Sequence, residues 1–194
     1  MLLSQLREGT RGLHVRLEAS VDLMSPALTR ARYTALLKRF YGFYAPVERM
    51  LQGRQAWGDL GLAAEQRTKV PSMRADLSAV GLDQSEIDSI PLCPSDALPP
   101  FESFEDLLGC MYVVEGATLG GQIISRHLNA RFGMDKSSGC AFFESYGQEV
   151  GPMWKSFVAA LTSYPATPDQ SERIVGAARC TFQSFQGWLE SESA

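Results

Sequence analysis

The chain has 194 residues, of which 45% are hydrophobic and 21% charged, and its formal net charge is −4. This length and composition predict one soluble globular domain, covering residues 1–194, with a single buried core. The negative net charge and the absence of a basic run in the sequence argue against nucleic acid or an anionic membrane as the principal partner.

The sequence also carries signals about compartment. The opening residues Met1-Leu2-Leu3 are followed by polar residues, so no apolar stretch of signal-peptide length is present, and no unbroken apolar run reaches membrane-spanning length. The four cysteines are far apart and lack Cys-x-x-Cys spacing, which favours reduced thiols with structural roles. We therefore expect a cytoplasmic protein that does not span a membrane.

Helical periodicity runs through nearly the whole sequence and predicts an all-α fold. In chain order, the predicted helices cover residues 4–22, 29–51, 65–80, 103–132, 147–162 and 169–192, with one further turn at 85–90. Pro46 is expected to kink the second helix, and the prolines of segment 91–100 predict a loop within one domain. No alternating strand pattern and no repeat period is visible in the sequence.

The second predicted helix is rich in aromatic residues at helical spacing. These residues are Tyr33, Phe40, Tyr41, Phe43 and Tyr44. Such a stripe can line a cofactor pocket, but packing in the core is the better interpretation.

The first helix carries a polar stripe beside its apolar face. At about 100° per residue, the apolar face contains Leu6, Thr10, Leu13, Leu17 and Val21, and the neighbouring stripe contains Arg7, Arg11, His14 and Glu18. The two arginines are like charges one turn apart, which costs a few tenths of a kcal/mol unless an anion lies between them. Glu18, one turn after His14, can accept the ring N–H that is not used for a metal. The stripe favours a metal-bound anionic cofactor; the alternative is a surface helix with scattered charge.

A glycine-rich stretch interrupts the long fourth helix. Tyr112, Gly116 and Gly120 are spaced at i, i+4 and i+8, and Gly121 follows. Each glycine costs a helix interior about 1 kcal/mol relative to alanine, so some function or contact must offset the loss. Bare backbone allows close approach of a flat ligand; tight helix packing, or a helix that ends at Gly120-Gly121, is the alternative. No phosphate-binding glycine motif is present in the sequence.

The second histidine, His127, lies seven residues beyond Gly120, roughly 10 Å along a helix axis. It is too far to ligate a metal held over the glycines, and we interpret it as a surface or structural residue. The distal position is then open for a small gas or water.

Two segments now resemble one known family. Residues 6–14 resemble the proximal-helix motif of heme oxygenases, and residues 115–122 resemble their glycine-rich distal helix. A looser resemblance extends through the second helix and residues 178–182, and the variant resembles the bacterial branch that includes biliverdin-forming enzymes supplying bacteriophytochromes. The resemblance implies a single-domain, all-α heme-oxygenase-like bundle, with heme between the proximal and distal helices.

The resemblance implies roles for the proximal residues. His14 would be the axial ligand of the heme iron, with Glu18 as its hydrogen-bond partner. Arg7 and Arg11 would face the heme propionates, to which a guanidinium fork is suited. Phe182 would contact the ring edge.

The resemblance also implies roles for the distal residues. Tyr112 would hold a propionate from the other side, and Gly121 would provide flexibility. Gly116 and Gly120 would lie against the porphyrin and act in catalysis by crowding bound oxygen toward a meso carbon. Animal members of the family carry an aspartate where this chain has Ala117, so distal water would be held by backbone groups or by other residues.

The implied activity is the cleavage of heme, which is both cofactor and substrate, to biliverdin, CO and ferrous iron. It requires O2 and reducing equivalents from an electron-donor protein, either a ferredoxin or a flavoprotein reductase, and the product could pass to a bacteriophytochrome. One alternative is a heme-binding or delivery protein of the same fold without turnover. Another is a helical enzyme that uses a cysteine nucleophile or a carboxylate-bridged iron pair, which the lack of Glu-x-x-His disfavours.

Overall fold

The computed structural model describes residues 1–191, which fold into nine α-helices and two short 3-10 helices. The α-helices are α1 (Leu2–Val21), α2 (Arg30–Leu51), α3 (Ala56–Asp59), α4 (Val70–Ala79), α5 (Gln84–Asp88), α6 (Phe104–Phe132), α7 (Ala141–Glu144), α8 (Val150–Ser163) and α9 (Pro168–Glu190). The 3-10 helices cover Ala64–Arg67 and Gly147–Glu149. Residues 1–191 contain no strand, which confirms the predicted all-α fold.

Local sequence signals set the ends of the two longest helices. At the start of α6, Ser103 and Asp106 form a capping box, in which each side chain accepts a hydrogen bond from the backbone N–H of the other residue. Thr167 and Gln170 form the same arrangement at the start of α9. Gly133 ends α6 at a φ of 68°, a conformation that favours glycine.

Helix α9 packs against both α1 and α6, and bare backbone brings the helices close together. A Cβ on Gly9 of α1 would lie 2.8 Å from Cγ1 of Val175, and one on Gly109 of α6 would lie 2.3 Å from the carbonyl oxygen of Ile174. Both distances are too short for a real side chain. Helices α1 and α6, which carry the two sequence motifs, therefore both pack closely against α9.

The aromatic stripe of α2 belongs to the core. All five of its aromatic side chains are buried, and the ring of Phe43 stacks on that of Phe185 of α9 at a centroid distance of 4.7 Å. This confirms the interpretation as core packing. Helix α2 continues through Pro46 to Leu51.

Two predicted helices are shorter than expected because prolines interrupt their hydrogen bonding. Pro71 has no N–H to donate to the carbonyl of Arg67, so the segment 65–80 divides into a 3-10 turn and α4. Pro152 divides segment 147–162 in the same way, and α8 begins at Val150. The short helices α3 and α7 were not predicted. The predicted end of the last helix, Glu192, lies outside the described residues.

By length and composition alone, α6 is able to cross a membrane, since its most apolar 18-residue window has a mean hydropathy of 1.4. Length and composition alone would therefore allow α6 to span a membrane, contrary to the expectation from the sequence. In the structure, 56% of that window is buried, and α6 packs on α7, α8 and α9. Its place in the helical bundle accounts for its apolar character.

Candidate functional site

His14 lies on the outward side of α1, with 51% of its side chain exposed. Its Nδ1 is 3.4 Å from Oε2 of Glu18, and its ring meets the ring of Phe182 edge-on at a centroid distance of 5.9 Å. Because Nδ1 faces the carboxylate, Nε2 is the nitrogen left for a metal. Phe182 is buried in α9 and supports the imidazole from the protein side.

The arginines that precede His14 are available to an anion. Arg7 and Arg11 are exposed, and neither forms an ion pair with a carboxylate of residues 1–191. Tyr112 of α6 is half-buried, and its phenol lies beside the hydroxyl of Thr10 and near Arg7. Burial raises the pKa of Tyr112, while Thr10 and Arg7 lower it. The phenol is therefore protonated near neutral pH, and its contacts join α6 to α1.

The three glycines of the distal motif do not share one environment. A Cβ on Gly116 would lie 3.8 Å from the Trp154 ring, whereas a Cβ on Gly120 would have no atom of residues 1–191 within 4 Å apart from those of its chain neighbours and of its own helix backbone. Gly121 is buried, and its Cβ would lie 2.3 Å from the carbonyl oxygen of Phe143. Gly121 thus has a packing role against α7, whereas packing does not explain Gly120. The part in heme binding that the resemblance implies for Gly121 stays a prediction.

Exposed apolar side chains occur on the same two helices. The exposed fractions are 58% for Val15 of α1, and 45% and 56% for Leu119 and Ile123 of α6. A heme offers broad apolar faces, two anionic propionates and an iron that needs an axial base. The imidazole of His14 can serve as the axial base, and Arg7 and Arg11, which have no carboxylate partner among residues 1–191, can bind the propionates. The bare helix backbone and the exposed apolar side chains suit the apolar faces, so the residues present fit heme.

A buried ion-pair network lies directly behind the glycines. The carboxylate of Glu115, which is 0% exposed, pairs with Arg67 and accepts hydrogen bonds from Nζ of Lys69 at 3.1 Å and from the Tyr146 hydroxyl at 2.7 Å. The side chains of Arg67 and Lys69 are each only 4% exposed. Glu115 is part of the glycine motif in the sequence, but this network was not predicted; the available signal was a carboxylate on the buried side of an apolar helix.

The network joins separate parts of the fold to α6. Arg67 donates to Ser156 Oγ at 2.7 Å on α8, and Glu48 of α2 accepts from the backbone N–H of Lys69 and of Val70. Burial lowers the pKa of Lys69, and Glu115 opposes that shift. Because Glu115 immediately precedes Gly116, the network fixes the position of the glycine segment from the interior of the bundle.

Two further residues have clear positions in α6. Ala117 is exposed and contributes no polar side chain. His127 is half-buried, and its Nε2 is buried without a hydrogen-bond partner among residues 1–191. This environment favours the structural interpretation of His127.

The three buried thiols, those of Cys93, Cys110 and Cys140, are poor nucleophiles because burial raises their pKa values. All four cysteines are free, and burial raises the pKa of Cys110 to about 12 and that of Cys140 to about 11. A raised pKa keeps a thiol in its unreactive protonated form. Within the described part of the chain, no group of three or more His, Cys, Asp or Glu residues is arranged to hold a metal ion.

These features define an all-helical protein that carries a candidate iron-binding histidine on α1 and a glycine-walled stretch on α6. The family model described as "Heme oxygenase" matches residues 1–191. The chain therefore belongs to the heme oxygenase family, which is a family of enzymes.

Individual relatives agree with this assignment. The chain is similar to the heme oxygenase of Xanthomonas campestris pathovar campestris, with 27% identity over 169 residues, covering 83% of this chain and 90% of the relative. The fold is similar to that of the heme oxygenase of Leptospira interrogans, with a TM-score of 0.79, 21% identity, and coverage of 97% of this chain and 98% of the other. It is also similar to the heme oxygenase of Synechocystis in complex with heme, with a TM-score of 0.76, 19% identity, and coverage of 97% and 90%.

Proposed function

We propose that this protein cleaves heme to biliverdin, CO and ferrous iron, using O2 and reducing equivalents. The observation that carries the proposal is His14, a half-exposed imidazole whose Nδ1 faces Glu18 and whose Nε2 is left for iron. Bound heme supplies the iron at which O2 is activated and is itself the molecule cleaved. The protein's contribution is to bind, orient and partly enclose it.

The proximal residues would bind and orient the substrate. The Glu18 carboxylate, 3.4 Å from Nδ1 of His14, would favour the tautomer that carries its hydrogen on Nδ1 and leave Nε2 as the nitrogen that would bind the iron. Arg7 and Arg11 would hold the propionate carboxylates, and the protonated phenol of Tyr112 would donate a hydrogen bond to one of them. Phe182 limits rotation of the imidazole through the edge-on contact at 5.9 Å.

The distal residues would determine how much space is left above the iron. Gly120 has open space where a Cβ would stand, so backbone can approach the porphyrin there. At Gly116 the Trp154 ring of α8 would lie 3.8 Å from a Cβ, so Trp154 limits the free space at that glycine. Since Ala117 offers no carboxylate, backbone groups or other residues hold any distal water, in contrast to the aspartate of animal members.

Three finer points extend the proposal. The resemblance of residues 6–14 and 115–122 supports a bacterial, biliverdin-forming type, whose product would pass to a bacteriophytochrome. An electron-donor protein, either a ferredoxin or a flavoprotein reductase, is the partner that family membership implies, and exposed Arg16 of α1 is a cation left to attract an acidic surface on it. The four free thiols support a cytoplasmic location.

The test is a titration with hemin, followed by ascorbate or a reductase in air. An oxygenase loses its Soret band and yields a green verdin, whereas a carrier keeps the band; product analysis identifies the cleaved position. His14→Ala is expected to abolish the normal heme spectrum and turnover. His127→Ala, which changes the only other histidine of the chain, is the matched control and should retain both. Unchanged turnover in His14→Ala would refute the assignment.

A further inference from the structure

A cavity of about 400 Å³ lies among the end of α1, the first half of α2, the end of α9 and residues 90–91. Its volume is within the range of about 300–1,000 Å³ found for small-molecule sites. None of the residues that line it is among those assigned above to heme. It is therefore a candidate for a separate ligand.

The lining of this cavity has an excess of positive charge. Arg32, Lys38 and Arg39 of α2 line it, and none of the three pairs with a carboxylate of residues 1–191. One acidic residue, Glu190, also lines it, and its carboxylate accepts a hydrogen bond from Gln186 at 2.8 Å. The chain as a whole is acidic, so this local excess of cations runs against its overall charge.

Arg39 is the partly buried cation of this lining, whereas Arg32 and Lys38 are exposed. Its guanidinium lies 3.8 Å from the ring centroid of Trp188, and Nη2 donates to the carbonyl and hydroxyl oxygens of Ser191. Its Nε is buried and has no hydrogen-bond partner among residues 1–191. Burial lowers the pKa of Arg39, as expected for a cation that has lost water without gaining a carboxylate. An anion in the cavity would offset this cost.

The remaining lining is apolar. Leu36, Ile90 and Leu189 contribute aliphatic surface, and Trp188 contributes an indole. A small inorganic anion would satisfy the arginine but leave this surface unused. An aromatic body that bears one acidic group matches both parts of the lining.

We propose that this cavity is a second binding site, distinct from the heme site, for an aromatic carboxylate. The carboxylate pairs with Arg39, with Lys38 and Arg32 adding longer-range attraction, and the aromatic body packs on Leu36, Ile90 and Leu189. The site does not depend on the proposed turnover of heme.

The test is isothermal titration calorimetry of the heme-loaded protein with 2-naphthoate. Saturating heme keeps the probe out of the heme site, and we expect binding of one probe molecule per chain. Arg39→Met removes the charge and retains aliphatic bulk, and should weaken binding about tenfold to a hundredfold. Lys38→Met, at an exposed position, should weaken it about two- to fivefold. Arg54→Met removes an equal charge outside the cavity and should leave the affinity unchanged.

Two further probes test the chemistry of the site. Octanoate should bind more weakly than 2-naphthoate, and inorganic phosphate more weakly still. The proposal is overturned if 2-naphthoate does not bind, if Arg39→Met and Lys38→Met both bind it as tightly as Arg54→Met, or if phosphate binds equally well. If Arg39→Met fails to fold, Lys38→Met still tests the proposal, because its thermal unfolding should be the same as that of the wild type.

Discussion

The substitution Glu115→Gln removes the one negative charge at the centre of the buried network while keeping the size of the side chain. Two cations, Arg67 and Lys69, then remain with only 4% of each side chain exposed. The amide nitrogen of glutamine is a donor, and it would face the donors that the carboxylate now accepts from. Glu48, which bonds the backbone at Lys69 and Val70, is the remaining acidic neighbour of the network.

The expected loss of stability follows from the free-energy cost of leaving a buried charge without its partner. Removing one partner of a buried ion pair typically destabilises a protein by about 3–5 kcal/mol, because the other charge stays desolvated. The Tyr146 hydroxyl, 2.7 Å from Glu115, keeps an acceptor in the amide oxygen, so that contact survives. We therefore expect Glu115→Gln to lower the free energy of unfolding by about 3 kcal/mol.

Urea denaturation of the heme-free protein, with linear extrapolation, measures this loss. Glu172→Gln, at an exposed position of α9, removes the same charge and should change stability by less than about 0.5 kcal/mol. The double variant Glu115→Gln/Lys69→Gln restores charge balance and should recover part of the loss, which a double-mutant cycle quantifies. A Glu115→Gln variant as stable as Glu172→Gln would refute the claim that the network holds α6 in place.

Three other predictions use the same structure. Gly121→Ala should lower the free energy of unfolding by about 1–3 kcal/mol in urea denaturation, because its Cβ would overlap the Phe143 carbonyl oxygen. Gly120→Ala should leave stability equal or raise it by up to about 1 kcal/mol, yet weaken heme binding in a hemin titration; equal behaviour of the two variants would contradict this. Asp76 is 1% exposed, and burial raises its pKa to about 6, above the unfolded value of 3.8. Its protonated form is thus favoured by folding, so as the pH rises from about 4 to about 7 the free energy of unfolding of the wild type, measured in urea, should fall by about 2 kcal/mol relative to that of Asp76→Asn.

Much of α1 could be predicted from the sequence because its information is local. Helical spacing alone placed Leu6, Thr10 and Leu13 on the buried face, where the structure has them, and placed His14 beside Glu18. An amphipathic helix encodes which face is buried within a few turns of sequence.

The buried network could not be predicted in the same way, because its partners are distant in the chain. Glu115 meets Arg67 across 48 residues and Lys69 across 46, and periodicity carries no information about such pairings. The glycines were equally ambiguous: spacing identified a bare stripe, but only the position of α7 separates Gly121 from Gly120. Pro71 and Pro152, by contrast, are local signals that the sequence itself contains, and they mark where the predicted helices divide.

Some glycines of α6 are required by packing and one is not, so substitution should be tolerated differently at these positions during evolution. Gly109 and Gly121 are needed by the fold itself, because neighbouring backbone occupies the place of any side chain. Gly120 is needed only by whatever lies outside the helix. A descendant that kept this fold but no longer handled heme should retain the first two glycines and be free to replace the third. The residue at position 120 would then indicate, among descendants of this chain, which ones still act on a porphyrin.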